Sequence, residues 1–349
     1  LQTLKELDLG GKDVETQLAA FCSAVSAGEL PLAENLTQAQ CQSLLAAGLP
    51  QSGAVRLTAR GTRTAVDGTL APQLLGGVGA MSAEQWAQKK AQGLAMDESI
   101  GQWGLEAAWE DALRGRAGSL KVTVDRSSGG RTETIQSTPQ AGDTLHLYLD
   151  ADLQRTLRSA LQQQIETLQA TKPEGKGKEA CAGAAVDVQT GGVLAAVSLP
   201  DYDLASWRQN YAALATAQGA PLVNRVLNGQ YAPGSAFKPA VAASALAAGI
   251  ITPQSTVNCG GRYTYYAGYQ PRCLQLGHRG AVSMVTALRH SCNIYFYDVG
   301  RRLGVDTFSA TAQQLGLGVP CGTELPETAG RLTWSTDGNY QAGLALMAA

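Results

Sequence analysis

The stretch Tyr231-Ala-Pro-Gly-Ser-Ala-Phe-Lys-Pro239 places a hydroxyl and an amine three residues apart, just after a Pro-Gly turn. Lys238 is the only charge between Ala232 and Ile251, in a run of Ala, Val and Leu at helical density. A helix that apolar is buried all round, and a buried charge is costly without partners. The first turn of a helix also disfavours a cation. Residues three apart share a helix face, so Ser235 Oγ and Lys238 Nζ can meet. Desolvation penalises the ammonium form, and a neutral amine can take the serine proton to make a nucleophile. Pro239 has no N–H, so the Ser235 carbonyl is expected to lose its helical donor. The plain alternative is a serine N-cap and a lysine snorkelling from a helix end.

A second polar cluster, Arg289-His-Ser-Cys-Asn-Ile-Tyr295, lies between two apolar helical patterns. Ser291 and Asn293 fall at the break, where a hydroxyl and an amide can point into a cleft. There they could relay a proton and hold a substrate amide; the alternative is a cap on the following helix. Cys292 between them reads as a small buried residue, since no base is placed for it.

These residues need elements to position them. At 349 residues the chain is long enough for two domains. Lys and Arg number 27 against 29 Asp and Glu, a net charge of −2, so charge makes no case for nucleic acid. No apolar run spans a membrane. The first residue is Leu and the last ten end without a cap signal, so the expectation is a chain cut at both ends. Seven cysteines form no Cys-x-x-Cys pair and there are three histidines, so no metal ligand and no cofactor are expected. Cys259 and Cys273 flank a Gly/Tyr-rich loop and would pair in an oxidising compartment. A zinc site using His278 is the alternative.

In chain order, helices are expected over 17–25 and 38–47, and a strand over 54–58. Residues 69–82 read as loop, and helical segments follow over 83–93 and 104–113. Alternation over 120–124 and 131–135 about Ser127-Ser-Gly-Gly130 predicts a hairpin. A strand over 144–149 leads to a helix from Asp150 or Asp152 to about Leu168. A second hairpin spans 182–188 and 193–197, and a helix runs from Val282 to about Arg289. Hairpins beside helices suggest a mixed domain with an antiparallel sheet.

The set resembles the class B penicillin-binding proteins, monofunctional peptidoglycan D,D-transpeptidases. Gly104-Leu-Glu106, Leu113-Arg-Gly115 and Gly118 resemble the pedestal, and Leu149-Asp-Ala-Asp-Leu-Gln154 the lead-in to the catalytic domain. Gly183-Ala-Ala-Val186, Thr190-Gly-Gly-Val-Leu-Ala195 and Ser198-Leu-Pro-Asp-Tyr-Asp203 resemble its first hairpin and the loop after it. Asn224-Arg225 with Tyr231 to Pro239 resembles the nucleophile helix, Ser291-Cys-Asn293 the Ser-x-Asn motif, and 316–330 the region beyond. The resemblance runs from about residue 36 to the end. The family's third motif, Lys-Thr/Ser-Gly, is missing after Asn293, as are the membrane anchor and the first pedestal segment.

The resemblance implies an α+β fold: a penicillin-binding, serine β-lactamase-like transpeptidase domain over 143–349, an antiparallel sheet flanked by helices, behind a mixed α+β pedestal over 1–142. It implies Ser235 as nucleophile, Lys238 as its base, Ser291 as proton relay and Asn293 as the substrate-amide holder. The substrate would be a stem peptide ending in D-Ala-D-Ala, and β-lactams would acylate Ser235. It further implies an N-terminal anchor with the catalytic part extracytoplasmic, and a membrane glycosyltransferase partner met through pedestal and anchor. A penicillin-sensing or β-lactam-hydrolysing relative and an inactive cell-wall scaffold are the competing readings. A fused glycosyltransferase is disfavoured, because the residues before 140 look like a pedestal.

Overall fold

The computed structural model describes residues 36–49, 64–274 (except 95, 97 and 125–130) and 277–337, with isolated positions before residue 58. The expected helix over 17–25, the strand over 54–58 and the last ten residues lie essentially outside these. The chain divides into two compact units, residues 1–64 and 65–349.

In the first unit, helix α1 (Gln38–Ala46) begins at a capping box. Thr37 Oγ1 accepts from the Gln40 amide at 3.2 Å, and Gln40 Oε1 accepts from the Thr37 amide at 2.9 Å. Leu44 is the buried centre, packed against Leu18, Leu32, Leu36, Leu49 and Leu57.

The second unit opens differently from its loop-like sequence. Pro72 starts a one-turn helix, Pro72–Leu75, and strands β1 (Gly77–Ala80) and β2 (Ser99–Trp103) pair antiparallel. The glycines hid this strand: Gly76 takes φ +83° and lets the chain turn directly into β1. Helix α2 (Ala83–Lys89) starts at a second capping box, Ser82 with Gln85. The expected 104–113 segment is two short helices, α3 (Gly104–Ala108) and α4 (Glu110–Leu113). Gly104 sits at φ +64°, where a Cβ would lie 2.5 Å from the Leu74 carbonyl oxygen, so only glycine fits. The predicted hairpin is present as β3 (Ser119–Val124) and β4 (Arg131–Ser137), with Leu120 opposite Ile135.

Residues 144–149 form no strand, contrary to their alternation. Among the described residues no strand pairs with them, and Leu147 and Tyr148 stay 42% and 65% exposed. Helix α5 (Ala151–Thr171) follows, its first amides accepted by the Asp150 carboxylate at 2.9 and 2.8 Å. Strands β5 (Cys181–Val186) and β6 (Val193–Leu199) form the second expected hairpin. Gln154 of α5 behaves as an extra strand residue beside β6. Its Oε1 accepts from the Ala196 amide at 2.8 Å, and its Nε2 donates to the carbonyls of Ala196 (2.9 Å) and Leu70 (2.8 Å).

Helices α6 (Trp207–Thr216) and α7 (Arg225–Asn228) lead to α8 (Lys238–Ala247). Strands β7 (Thr256–Cys259) and β8 (Gly280–Ser283) pair antiparallel, then come α9 (Met284–Arg289), α10 (Asn293–Leu303) and α11 (Val305–Gln314). Val282, expected in a helix, lies in β8 opposite Val257, because Ser283 caps α9 and starts it later. The main core joins α8, α10 and α11 through Val241, Ala245, Phe296, Val299, Phe308 and Ala312. The architecture is α+β, helices with antiparallel strand pairs.

Candidate active site

Ser235 does not lie in the α-helix itself. It occupies a 3-10 turn, Gly234–Phe237, which Gly234 enters at φ +56°. The Ser235 carbonyl keeps a donor after all: the Lys238 amide reaches it three residues on, so the missing N–H of Pro239 leaves no orphan there. The tighter turn leaves Ser235 exposed and turns Lys238, the first residue of α8, inward to 3% exposure.

Lys238 Nζ donates to Asn293 Oδ1 at 2.7 Å, Ser291 Oγ at 2.9 Å and the Ser291 carbonyl at 3.0 Å. It also lies 5.6 Å from the centre of the Phe296 ring. Ser291 Oγ donates to Ser235 Oγ at 3.0 Å. The four residues singled out from sequence therefore meet, with one change of connectivity. Ser235 reaches the lysine through the Ser291 hydroxyl, whose proton can rotate to serve either neighbour. Burial pushes the Lys238 amine below its ordinary value, while the Cys273 and Cys292 sulfurs pull it the other way.

The break between α9 and α10 is what aims the second motif. Ser291 adopts φ +50°, a backbone state that costs a non-glycine residue about 1–3 kcal/mol and clusters at functional sites. Cys292 between the two polar residues is fully buried, and burial pushes its thiol up to about 12. Asn293 opens α10, and its Nδ2 donates to the Arg272 carbonyl at 3.3 Å. That bond fixes which end of the amide faces Lys238, a function of Arg272 that carries no sequence signal because it is backbone.

Beside the nucleophile turn, a groove of about 460 Å³ is lined by Gly229 to Ala232, Thr328, Gly330 and Arg331. Its far wall is tied on by the Thr328 amide to the Leu227 carbonyl (3.0 Å) and by Gln230 Nε2 to the Ala329 carbonyl (2.8 Å).

Four more residues converge that sequence spacing kept apart. The ligand atoms of Cys259, Cys273, His278 and Cys292 all lie within 4.8 Å of one another, and all four residues are buried. The expected Cys259–Cys273 disulfide is not formed; both are thiols. His278 Nδ1 is a buried nitrogen without a hydrogen-bond partner among the described residues, and burial lowers its basicity. Three sulfurs and one neutral imidazole are the donor set of a closed tetrahedral zinc site. The expectation of no metal ligand rested on spacing, and the fold assembles this set from β7, the loop after it and the break before α10.

Comparison with known proteins gives two matched regions, whose limits differ from the two compact units of the fold. Residues 181–344 match the penicillin-binding protein transpeptidase domain, and residues 2–147 match the penicillin-binding protein dimerisation domain. The chain is 33% identical over 249 residues to peptidoglycan D,D-transpeptidase MrdA of Salmonella typhimurium, covering 68% of this chain and 37% of that protein. It is 35% identical over 246 residues to MrdA of Escherichia coli K12, covering 68% and 36%. The chain thus spans little more than a third of these relatives' length. A chain solved in work on structural coordination of polymerization and crosslinking by a peptidoglycan synthase complex is 27% identical, with TM-score 0.72, covering 97% of this chain and 61% of that one. Helicobacter pylori PBP2 in complex with MreC shares the fold at 22% identity, with TM-score 0.77, covering 96% and 62%.

Proposed function

Since the chain belongs to the class B penicillin-binding proteins, we propose that it is a peptidoglycan D,D-transpeptidase working through a Ser235 acyl-enzyme. The observation that carries this is the unbroken chain from Ser235 Oγ through Ser291 Oγ to a buried Lys238 Nζ, at 3.0 and 2.9 Å. A stem peptide ending in D-Ala-D-Ala presents its penultimate carbonyl to Ser235. As Ser235 Oγ attacks, its proton passes to the neutral Lys238 amine, directly or through Ser291. The backbone N–H of Ser235 is a donor for the developing oxyanion. Ser291 hands the proton to the departing D-Ala nitrogen. Asn293 has one amide proton and one oxygen lone pair beyond its bonds to Arg272 and Lys238, and with these it holds the peptide amide. The amine of a neighbouring strand then attacks the acyl-enzyme, forms the cross-link and releases Ser235.

In this reading residues 1–142 are the pedestal and 143–349 the catalytic domain. The enzyme acts outside the cytoplasmic membrane from an N-terminal anchor, with a membrane glycosyltransferase as partner and a role in cell shape. No helix of the described residues is long and apolar enough to cross a membrane.

The test is intact-mass spectrometry of the full-length protein after incubation with a fluorescent penicillin, followed by peptide mapping. A single slowly released adduct on the peptide containing Ser235, lost in Ser235→Ala, is the expected result. An adduct that survives Ser235→Ala refutes the nucleophile, and rapid deacylation favours a hydrolase.

A second site has its own support. Three buried sulfurs converging on His278, whose Nε2 lies 3.6 Å from Cys273 Sγ, favour Cys259, Cys273, His278 and Cys292 as ligands of a structural zinc ion. Such an ion would hold Cys292, and with it Ser291 and Asn293, against the loop that carries Arg272.

A further inference from the structure

We propose that the Cys259, Cys273, His278 and Cys292 cluster has two mutually exclusive states, a zinc-bound dithiolate and a Cys259–Cys273 disulfide, so that the site is a redox-gated metal clamp on the Ser291–Asn293 segment. The proposal rests on the zinc reading above and goes beyond it. A site with one thiolate could only lose or keep its metal. Here the same two sulfurs that bind the metal can bond each other.

The backbone selects the pair. Cys259 ends β7, and Cys273 stands on the opposite arm of the loop that follows. The arms are laced together by the Cys273 amide to the Gly261 carbonyl (2.9 Å), the Arg262–Arg272 bridge and the Tyr263 amide to the Pro271 carbonyl (3.0 Å). Both cysteines therefore sit at the base of one closed ladder, with sulfurs inside the 4.8 Å cluster. A disulfide needs the two sulfurs at 2.03–2.05 Å, so the arms of the loop close further to form it. The Cys292 side chain also touches Cys259, but its backbone is held outside this ladder. Its amide donates to the Ala287 carbonyl at 2.8 Å, at the fixed junction of α9 and α10.

The exchange balances with a small disulfide as oxidant. The Cys259 thiolate attacks one sulfur of oxidised glutathione and releases one glutathione thiolate. The Cys273 thiolate then attacks the mixed disulfide and releases the second. Two electrons pass to glutathione, and zinc cannot rebind because only Cys292 and His278 remain for it. Cys259 and Cys273 are 1% and 5% exposed. The oxidant thus reaches them only after the metal has gone and the loop has opened. Metal occupancy is then the protection: with free zinc 100-fold above its Kd, oxidation through the open form slows about 100-fold.

The consequence falls on the active site. Cys292 lies between Ser291 and Asn293, and Cys273 follows Arg272, whose carbonyl orients the Asn293 amide. Zinc ties these two segments together; the disulfide joins Cys273 to β7 and leaves Cys292 untethered.

The experiment uses full-length protein with zinc measured by mass spectrometry of the metal and thiols counted under denaturation. Zinc-loaded and chelator-stripped samples are exposed to oxidised glutathione and mapped without reduction. Expected are one zinc per reduced chain, a Cys259–Cys273 linked peptide in the stripped sample only, and no zinc uptake by that oxidised protein until dithiothreitol is added. Cys259→Ser should lose the linked peptide, with circular dichroism reporting its fold. Equal oxidation rates with and without zinc, a link to Cys292 or to none of the three, or oxidised protein that still binds one zinc overturns the switch. Reduced protein that takes up no zinc overturns the metal reading instead.

Discussion

Replacing Asn293 with Asp is the most direct probe of Lys238 as the base. Asn293 Oδ1 is 2.7 Å from Lys238 Nζ, and the lysine is 3% exposed. A carboxylate at that distance attracts the ammonium by about 6 kcal/mol at an effective dielectric of 20. If desolvation and relaxation leave only a third of this, about 2 kcal/mol, the charged form of Lys238 is favoured about 30-fold more than in the parent. A base locked in its protonated form cannot accept the Ser235 proton, so acylation by a β-lactam at neutral pH should fall by up to about 30-fold. The sign is set by Lys238: the new charge raises its pKa, so the lost rate should return about tenfold per pH unit as pH rises. Asn293→Ala removes the same acceptor without adding charge; it should be slower at every pH, with no such recovery. The assay is the second-order acylation rate of a fluorescent penicillin between pH 6 and pH 10. An Asn293→Asp profile that superimposes on the parent, or falls in parallel with Asn293→Ala, would falsify the general-base role of Lys238.

Gln154→Leu strips Ala196 of both side-chain hydrogen bonds and Leu70 of one, inside a site 2% exposed. With about 1–3 kcal/mol for each buried polar group left unpaired, chemical denaturation should show a loss of about 3 kcal/mol, and a change within 0.5 kcal/mol would mean water replaces the amide. Gly104→Ala forces a Cβ to 2.5 Å from the Leu74 carbonyl oxygen at φ +64°. It should cost about 2 kcal/mol or more, read as a lower midpoint of the unfolding transition that includes α3; an unchanged midpoint contradicts the packing described. Glu327 accepts from the amides of Cys321 and Thr323, both at 2.5 Å, and the Thr323 hydroxyl together with these amides holds its carboxyl below its usual 4.5. A depressed carboxyl contributes order above its unfolded value and loses it as pH falls through the folded one. Protection of these two amides relative to their intrinsic exchange should therefore hold as pH drops through 4.5 and fall only below it; a fall above 4.5 would show that the carboxylate is not the anchor.

Much of this protein is legible without its fold. The Ser235-x-x-Lys238 spacing, the otherwise uncharged apolar run and the Ser291-Cys-Asn293 break named all four residues of the polar chain, because helical periodicity and buried charge are local properties. The cap at Asp150 and the hairpins at 119–137 and 181–199 follow from local chemistry in the same way. Other features are set by contacts between distant segments, and those only the tertiary structure decided. The alternation at 144–149 found no neighbour to pair with among the described residues, while glycine-rich 77–80 found β2. The path from Ser235 to Lys238 through Ser291 depends on a 3-10 turn and on a strained φ at Ser291. Arg272 acts through a carbonyl, which no side chain announces. The four metal-ligand residues stand at positions 259, 273, 278 and 292, a spacing that matches no short motif. They meet because β7 pairs with β8 and the loop between them folds back over the start of α10. Sequence determines which residues can do chemistry; pairing and burial determine which of them touch.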